Sequence, residues 1–308
     1  VVYACSSSSF SFPLVAMKSS TQGMLYALTA FLIWGLAPLY FKHLSFVPAD
    51  EIVTHRIIWS CVFLILLVWW TKSGRQVIAV LHHPRYLLLL TVTALLIAAN
   101  WLLFIWAINH GHMLESSLGY FINPLLNILL GMLFLGERLR RWQWFAVALA
   151  VSGVLLQIAT LGVFPWIALT LASSFAVYGL IRKKIAVDSL TGLLIETVVL
   201  TPVAAWYLFG YADSATSHLS QNSWSLNLWL IFAGIITTLP LLCFTAGAKL
   251  LRLSTIGFFQ YLSPSLLFIF AVVLYHEPIV WQKWLTFALI WSALVVFSWD
   301  GLRHSKQN

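Results

Sequence analysis

Charge is what this sequence has least of. Only 8% of its 308 residues are Asp, Glu, Lys or Arg, against roughly 25% in a soluble domain. Hydrophobic residues make up 61%, and the mean hydropathy is +0.92. A water-soluble fold is excluded, because so much apolar surface has too few polar residues to cover it. Cysteine is scarce too. Cys5, Cys61 and Cys243 lie far apart, with no ligand spacing and no disulfide framework. Enzymatic signatures are missing: there is no GxSxG, no HExxH and no Walker loop. No soluble ATPase domain accompanies the apolar part, so ATP drive within this chain is out. Residues 1–16, VVYACSSSSFSFPLVA, have neither the basic start nor the continuous apolar stretch of a signal peptide. They are expected to be a non-native or disordered extension, with Met17 opening the fold.

Long apolar runs are what the chain has instead. A helix needs about 20 apolar residues to cross a bilayer. Ten segments qualify: 23–42, 50–70, 86–108, 113–135, 142–160, 163–181, 190–210, 225–248, 254–275 and 280–299. The sixth is short and carries Ser173 and Ser174. Sixteen Trp and ten Tyr suit the two membrane interfaces. With a cytoplasmic amino end, 14 of the 17 Lys and Arg fall on inside segments, from Lys18 and Lys72 to Arg303 and Lys306. This positive-inside pattern places both termini in the cytoplasm. It also accounts for the +8 net charge without nucleic acid.

The chain repeats itself. GYFINPLLNILLGMLFLGERLRRWQWFAVALAVSG around the fourth and fifth spans matches GFFQYLSPSLLFIFAVVLYHEPIVWQKWLTFALIWSA around the ninth and tenth. A shift of 140 residues places Pro124 on Pro264, Glu137 on Glu277, Trp144 on Trp284 and Arg56 on Glu196. Five spans per half is an odd number, so the second half enters the membrane inverted. The expected fold is an all-α integral membrane protein of ten transmembrane helices in two inverted five-helix repeats, residues 17–160 and 161–308. Similar halves facing opposite ways can rock about a site at their interface, an architecture that recurs in secondary transporters.

WGLAPLYFK, EIVTHRIIWS, NWLLFIWAIN, LESSLGYFINPLLNILLG and GFFQYLSPS occur in order. Together they resemble the RarD branch of the EamA transporters, within the drug/metabolite transporter (DMT) superfamily. The likeness runs from Met17 to Arg303. It implies a bacterial inner-membrane permease, a central cavity lined mainly by the first four helices of each half, and a link to chloramphenicol phenotypes.

Polar residues inside spans are the candidate site. A charge at the centre of a membrane helix costs about 2.5 to 3.5 kcal/mol on insertion scales, so it persists only when paired, hydrated or near an end. Arg56 and His55 either receive polar or anionic solute groups in an outer vestibule, or belong with Glu51 to a structural ion pair, or snorkel to the headgroups. Glu115 either pairs with Arg56 or forms a titratable cavity wall. Glu196 either lines the cavity or pairs with Lys183 or Arg252. Asn100, Asn123 and Asn127 suit interhelical hydrogen bonds or cavity lining. Trp34, Trp59, Trp101, Tyr120, Tyr178 and Tyr261 offer aromatic walls for flat solutes, with Gln260 beside the last. Pro38, Pro124 and Pro264 each free a backbone carbonyl and either serve as hinges or merely curve helices around a cavity. His110, His112 and Glu115 fall short of a four-ligand zinc set, so neither metal nor cofactor is expected. Ala146, Ala150 and Gly153 mark the fifth span as scaffold.

The expected activity is secondary transport of a small organic solute by alternating access, with the lipid bilayer as surrounding partner. A channel or lipid scramblase shares the ten-helix look, and an intramembrane enzyme would need a nucleophile or metal set that is not visible. Saturable flux with counterflow separates a carrier from a channel. Proton coupling and a homodimer stay open.

Overall fold

In hydrocarbon a backbone amide finds no water, so each apolar run must satisfy its own hydrogen bonds as a helix. The computed structural model describes residues 19–110, 112–273 and 280–305. Its elements are α1 (Ser19–Lys42), α2 (Ala49–Trp70), α3 (Gly74–Leu81), α4 (Pro84–Asn109), α5 (Met113–Leu135), α6 (Arg141–Leu161), α7 (Trp166–Lys184), α8 (Ser189–Gly210), α9 (Trp224–Leu250), α10 (Leu253–Gln260), α11 (Leu262–Val273) and α12 (Trp281–Ser305). The extension at 1–16 and Glu277, the counterpart of Glu137, lie outside the described residues.

Nine spans among the described residues are long and apolar enough to cross a bilayer, with α10 and the start of α11 counted as one. The tenth crossing is α7. It sits against α4, α5 and α9, and its Ile167, Ala168, Ala172, Ala176 and Gly179 are buried. A helix sheathed by other helices needs less apolar surface toward lipid. Short α3 occupies the connection between α2 and α4. The ninth span is two helices: the α-helical run stops at Tyr261, whose amide bonds back to Phe258 at 3.2 Å, a tighter turn. Pro264 follows three residues on and cannot donate to Gln260. By contrast Pro38 and Pro124 sit inside unbroken α1 and α5.

The packing repeats as the sequence does. Exchanging α1 with α7, α2 with α8, α4 with α9, α5 with α10–α11 and α6 with α12 maps most of the larger contacts among the described residues onto themselves, α5–α6 and α7–α9 being exceptions. The α1–α9 pair becomes α7–α4, α2–α9 becomes α8–α4, and α5–α7 becomes α10–α11 on α1. The α2–α8, α5–α10 and α6–α12 pairs map onto themselves. Tyr261 donates its hydroxyl to the carbonyl of Phe121, its own counterpart 140 residues earlier, at 3.2 Å. The pseudo-twofold axis therefore passes between α5 and α10. Most of the packing runs between halves, so the repeats interleave rather than forming two lobes.

One face of the bundle carries Lys72, Arg75, Arg85, Arg138, Arg140, Arg141, Arg182, Lys183, Lys184, Lys249, Arg252 and Arg303. It is called the basic face below, and the other the opposite face. Exposed Trp69, Trp70, Trp142 and Trp144 ring the basic face, and Trp166, Trp206, Trp224 and Trp281 the opposite one, the usual aromatic belts of a membrane protein.

The crossing of α5 and α10 has no room for a side chain. A Cβ on Gly257 would lie 2.6 Å from the Pro124 carbonyl oxygen. Gly257→Val is expected to lower the thermal midpoint of the detergent-solubilised protein, at a cost of about 1–3 kcal/mol for overpacking. Gly74→Ala, whose added atom meets nothing within 4 Å, should leave the midpoint unchanged; equal midpoints for both variants would contradict the close crossing.

Candidate functional site

Helices α2, α4, α7, α8 and α9 meet around a narrow central seam. Trp101, Thr237 and Thr238 lie on its wall with Tyr178, Glu196 and Ser60. The cavity is nearly closed, at about 10 Å³, on the order of one water. Polar groups stand at both ends of it.

Arg56 stands toward the opposite face, seven residues after Ala49 opens α2. Its Nε donates to Thr237 Oγ1 at 2.8 Å. Its guanidinium carbon lies 4.8 Å from the Trp101 ring centroid and 5.3 Å from that of Phe41. Tyr40 and Tyr120 are within electrostatic reach. Among the described residues no carboxylate pairs with it. Cation–π contact and one hydroxyl hold the charge without neutralising it.

Glu196 stands toward the basic face and is 1% exposed. Thr93 donates to Oε1 at 2.6 Å, and Tyr178 donates to Oε2 at 3.3 Å. The counter-charge is Arg182, whose Nε lies 3.5 Å from Oε1. Neither Lys183 nor Arg252, the partners expected from sequence, fills that role. Lys183 donates to the carbonyls of Ala248 and Leu251. Arg182 is fully buried, and its guanidinium lies over Gly192 in the space that a Cβ there would fill. Arg56 and Glu196 thus occupy equivalent positions in the two repeats. Each is reached by a threonine from the third span of the other half.

The remaining sequence candidates divide into three groups. Trp34 joins a cage with Phe31, Phe175 and Phe244, at centroid distances of 5.4, 5.8 and 5.8 Å. Asn100 donates to the Leu171 carbonyl and Ser174 Oγ, both at 2.8 Å, and Asn123 donates to the next carbonyl, Ala172, at 3.2 Å. Asn127 donates to Asn123 and to Gln260, at 2.9 and 2.5 Å, tying α5 to α10. Glu115 is engaged away from Arg56. Its Oε1 accepts the Ile167 amide at 2.8 Å, capping the start of α7, and Oε2 lies 3.7 Å from His112. Glu51 accepts from Thr216 of the loop before α9 at 2.9 Å. His55 is fully buried with both ring nitrogens unpartnered. Trp59 Nε1 and Thr238 Oγ1, on the same two helices α2 and α9, are unsatisfied as well.

Thr93, Thr237, Phe175, Phe244 and Arg182 escape the sequence reading. Arg182 had a signal: Ala168, Ala172, Ala176 and Gly179 form a small-residue stripe at helical spacing, and Arg182 continues it three residues on. The threonines had none, because each is one hydroxyl among many in apolar helices.

A family model described as the EamA-like transporter family matches residues 21–159 and again 164–299. The chain is similar to Protein RarD of Salmonella typhimurium, 59% identical over 92% of this chain and 97% of that one. It is 56% identical to an uncharacterized transporter of Vibrio cholerae, over 93% of this chain and 95% of that one. It is 33% identical to a chloramphenicol-sensitive protein RarD of Pseudomonas aeruginosa, over 93% and 97%. A solved structure aligns with a TM-score of 0.71 at 19% identity, covering 90% of this chain and 97% of that one, and shares the fold.

The buried pair yields a graded expectation. Arg182→Ala or Glu196→Gln leaves a charge uncompensated in the bundle, which costs about 3–5 kcal/mol. Both single variants should show a sharply lowered thermal midpoint. Arg182→Met with Glu196→Met should recover much of it, because no buried charge is left. A double variant no better than the singles would mean that the pair is not the source of the loss.

Proposed function

Because the chain belongs to the EamA-like transporter family, in its RarD branch, we propose that this multi-pass membrane transporter carries small organic solutes by alternating access through the central seam. One observation supports the reading above others. Arg56 keeps an uncompensated positive charge inside a spanning helix, beside a seam, with only a hydroxyl and aromatic faces around it. Such a charge is expensive in a membrane, and intramembrane charges mark solute pathways. Arg56 receives the anionic or polar end of the solute. The flat remainder lies along Trp101, Trp34 and Tyr178, where stacking and apolar burial hold it. His55, Trp59 and Thr238 supply hydrogen-bonding atoms that the protein itself leaves unsatisfied. The nearly closed seam is the occluded stage of the cycle.

In this reading the basic face is cytoplasmic, by the positive-inside rule, and the membrane is the bacterial inner one. Arg56 then meets solute from the outer side and Glu196 stands nearer the cytoplasm. The name of the Pseudomonas aeruginosa relative makes chloramphenicol one solute to try, since its nitrophenyl ring suits an aromatic wall.

Metabolite efflux and uptake are compared between deletion and overexpressing cells, and the solute so found is followed in proteoliposomes with and without a pH gradient. Saturable flux with counterflow is expected. Arg56→Ala should abolish it, while the variant reaches the membrane in normal amount. Arg56→Lys should retain only part of it, since an ammonium does not reproduce the planar stacked guanidinium. Normal transport by Arg56→Ala would return that residue to a structural role, and unsaturable flux would make the protein a channel.

A further inference from the structure

A second cavity opens on the basic face, away from the seam. It is a bowl of about 650 Å³, walled by the ends of α5, α7 and α9 and the start of α10. That volume is in the usual range for small-ligand sites, roughly 300–1,000 Å³. Arg138, Lys183, Lys249 and Arg252 line it against one carboxylate, Glu137. Four cations and one anion leave three net positive charges.

The carboxylate is already occupied. Gly136 takes a left-handed turn, φ 65°, at the end of α5, and Glu137 then faces α10. Its oxygens accept the amides of Leu253 and Ser254 at 2.6 and 3.0 Å and the Ser254 hydroxyl at 2.7 Å. The helix start that would itself attract an anion is thereby filled from within. The lysines also have partners, but neutral ones: Lys183 donates to carbonyls of Ala248 and Leu251, and Lys249 to that of Val187. Lys183 lies within electrostatic reach of Glu137 and Lys249 of Asp188, but neither forms an ion pair among the described residues. Arg138 and Arg252 are exposed at the rim, and their guanidinium groups have no hydrogen bond or ion pair among the described residues. Leu135, Leu250 and Leu251 add apolar wall.

We propose that this bowl is an anion-binding site for a phosphate ester, with Arg138 and Arg252 gripping the phosphate and the leucines meeting its organic part. Guanidinium forks match phosphate oxygens in pairs. Two sources share that chemistry: the headgroup of an anionic phospholipid at the bilayer surface, and a free organic phosphate in solution. Basic pockets between transmembrane helices accept lipid headgroups in this way. A bound anion touches α5, α7, α9 and α10 together, so it stabilises the arrangement in which Glu137 and Lys183 tie those ends to one another.

The full chain, in nanodiscs of phosphatidylcholine at constant ionic strength, is unfolded thermally in two arms. One arm adds glycerol 3-phosphate; the other replaces part of the lipid with phosphatidylglycerol. At least one arm should raise the midpoint saturably, since a ligand that binds the folded state stabilises it. The arm that does so identifies the source. Arg138→Gln with Arg252→Gln should shift the half-saturation point by about tenfold or more, the expected effect of losing charge-assisted hydrogen bonds. Lys72→Gln with Arg85→Gln removes as much charge from the same face outside the bowl and should leave the response intact. Independently of stability, thiol labelling of Leu135→Cys should slow when the effective ligand is present. No shift in either arm, an unchanged response in the rim variant, or an equal loss in the control pair would each overturn the proposal.

Discussion

Everything in this bundle depends on one constraint: inside hydrocarbon, a polar group must be satisfied by the protein itself. Apolar side chains gain little by leaving lipid, because lipid tails are as apolar as leucine. An unsatisfied amide or hydroxyl there costs several kcal/mol. The apolar clusters therefore supply shape and close packing, while polar links select which helices stand together. Asn127 reaches Gln260, Asn100 reaches Leu171, Thr93 reaches Glu196, and Ser263 reaches the Phe31 carbonyl. Arg140 and Asp300 join α6 to α12 at the basic face, with N–O distances of 2.5 and 2.7 Å. Each link crosses from one repeat to the other. The same constraint that holds the fold together thus forces the halves to interleave.

The repeat also explains why one charge lines the seam and another stands against its wall at Thr237 and Trp101. Equivalent positions on α2 and α8 carry Arg56 and Glu196, and each takes a threonine hydroxyl from the opposite half. Beyond that point the ends differ. Arg182, cradled by Gly192, neutralises Glu196. Arg56 has only aromatic faces and Thr237. A perfectly symmetric pair would be satisfied at both ends or at neither. The asymmetry leaves one charge paired and the other without a counter-charge among the described residues, and the proposed solute site is placed at that second end.

Much of this was legible beforehand. Hydropathy marks the spans because the bilayer sets their length, and the 140-residue shift survives in Pro124, Glu137, Trp144 and their counterparts. Partners were far harder to read. Glu115 meets a backbone amide 52 residues away, and a backbone amide leaves no trace in side-chain patterns. Arg182 stood in a basic triplet that reads as a solvated helix end, yet one helical face carries it inward beneath Gly192. Proline position marked the break near Pro264, but the equivalent Pro124 lies in a continuous helix. A lost hydrogen bond permits a break; neighbouring contacts decide whether it occurs.

The packing finally bears on what could move in the proposed alternating-access cycle. One apolar core is built chiefly from α1, α2, α4, α7, α8 and α9, and the other chiefly from α5, α6, α10–α11 and α12. Each core contains helices of both repeats, so neither sequence half can swing as a rigid body without tearing both cores. The natural units are the cores themselves. They meet along two lines, α5 against α7, where Asn123 donates to the Ala172 carbonyl, and α10–α11 against α1, where Ser263 donates to that of Phe31. The pseudo-twofold axis between α5 and α10 exchanges these two lines, so a rearrangement along one has its counterpart along the other. In the proposed cycle, opening the seam toward one face and then the other shifts these two lines in turn, and the break at Tyr261 lies at the end of α10, beside one of them.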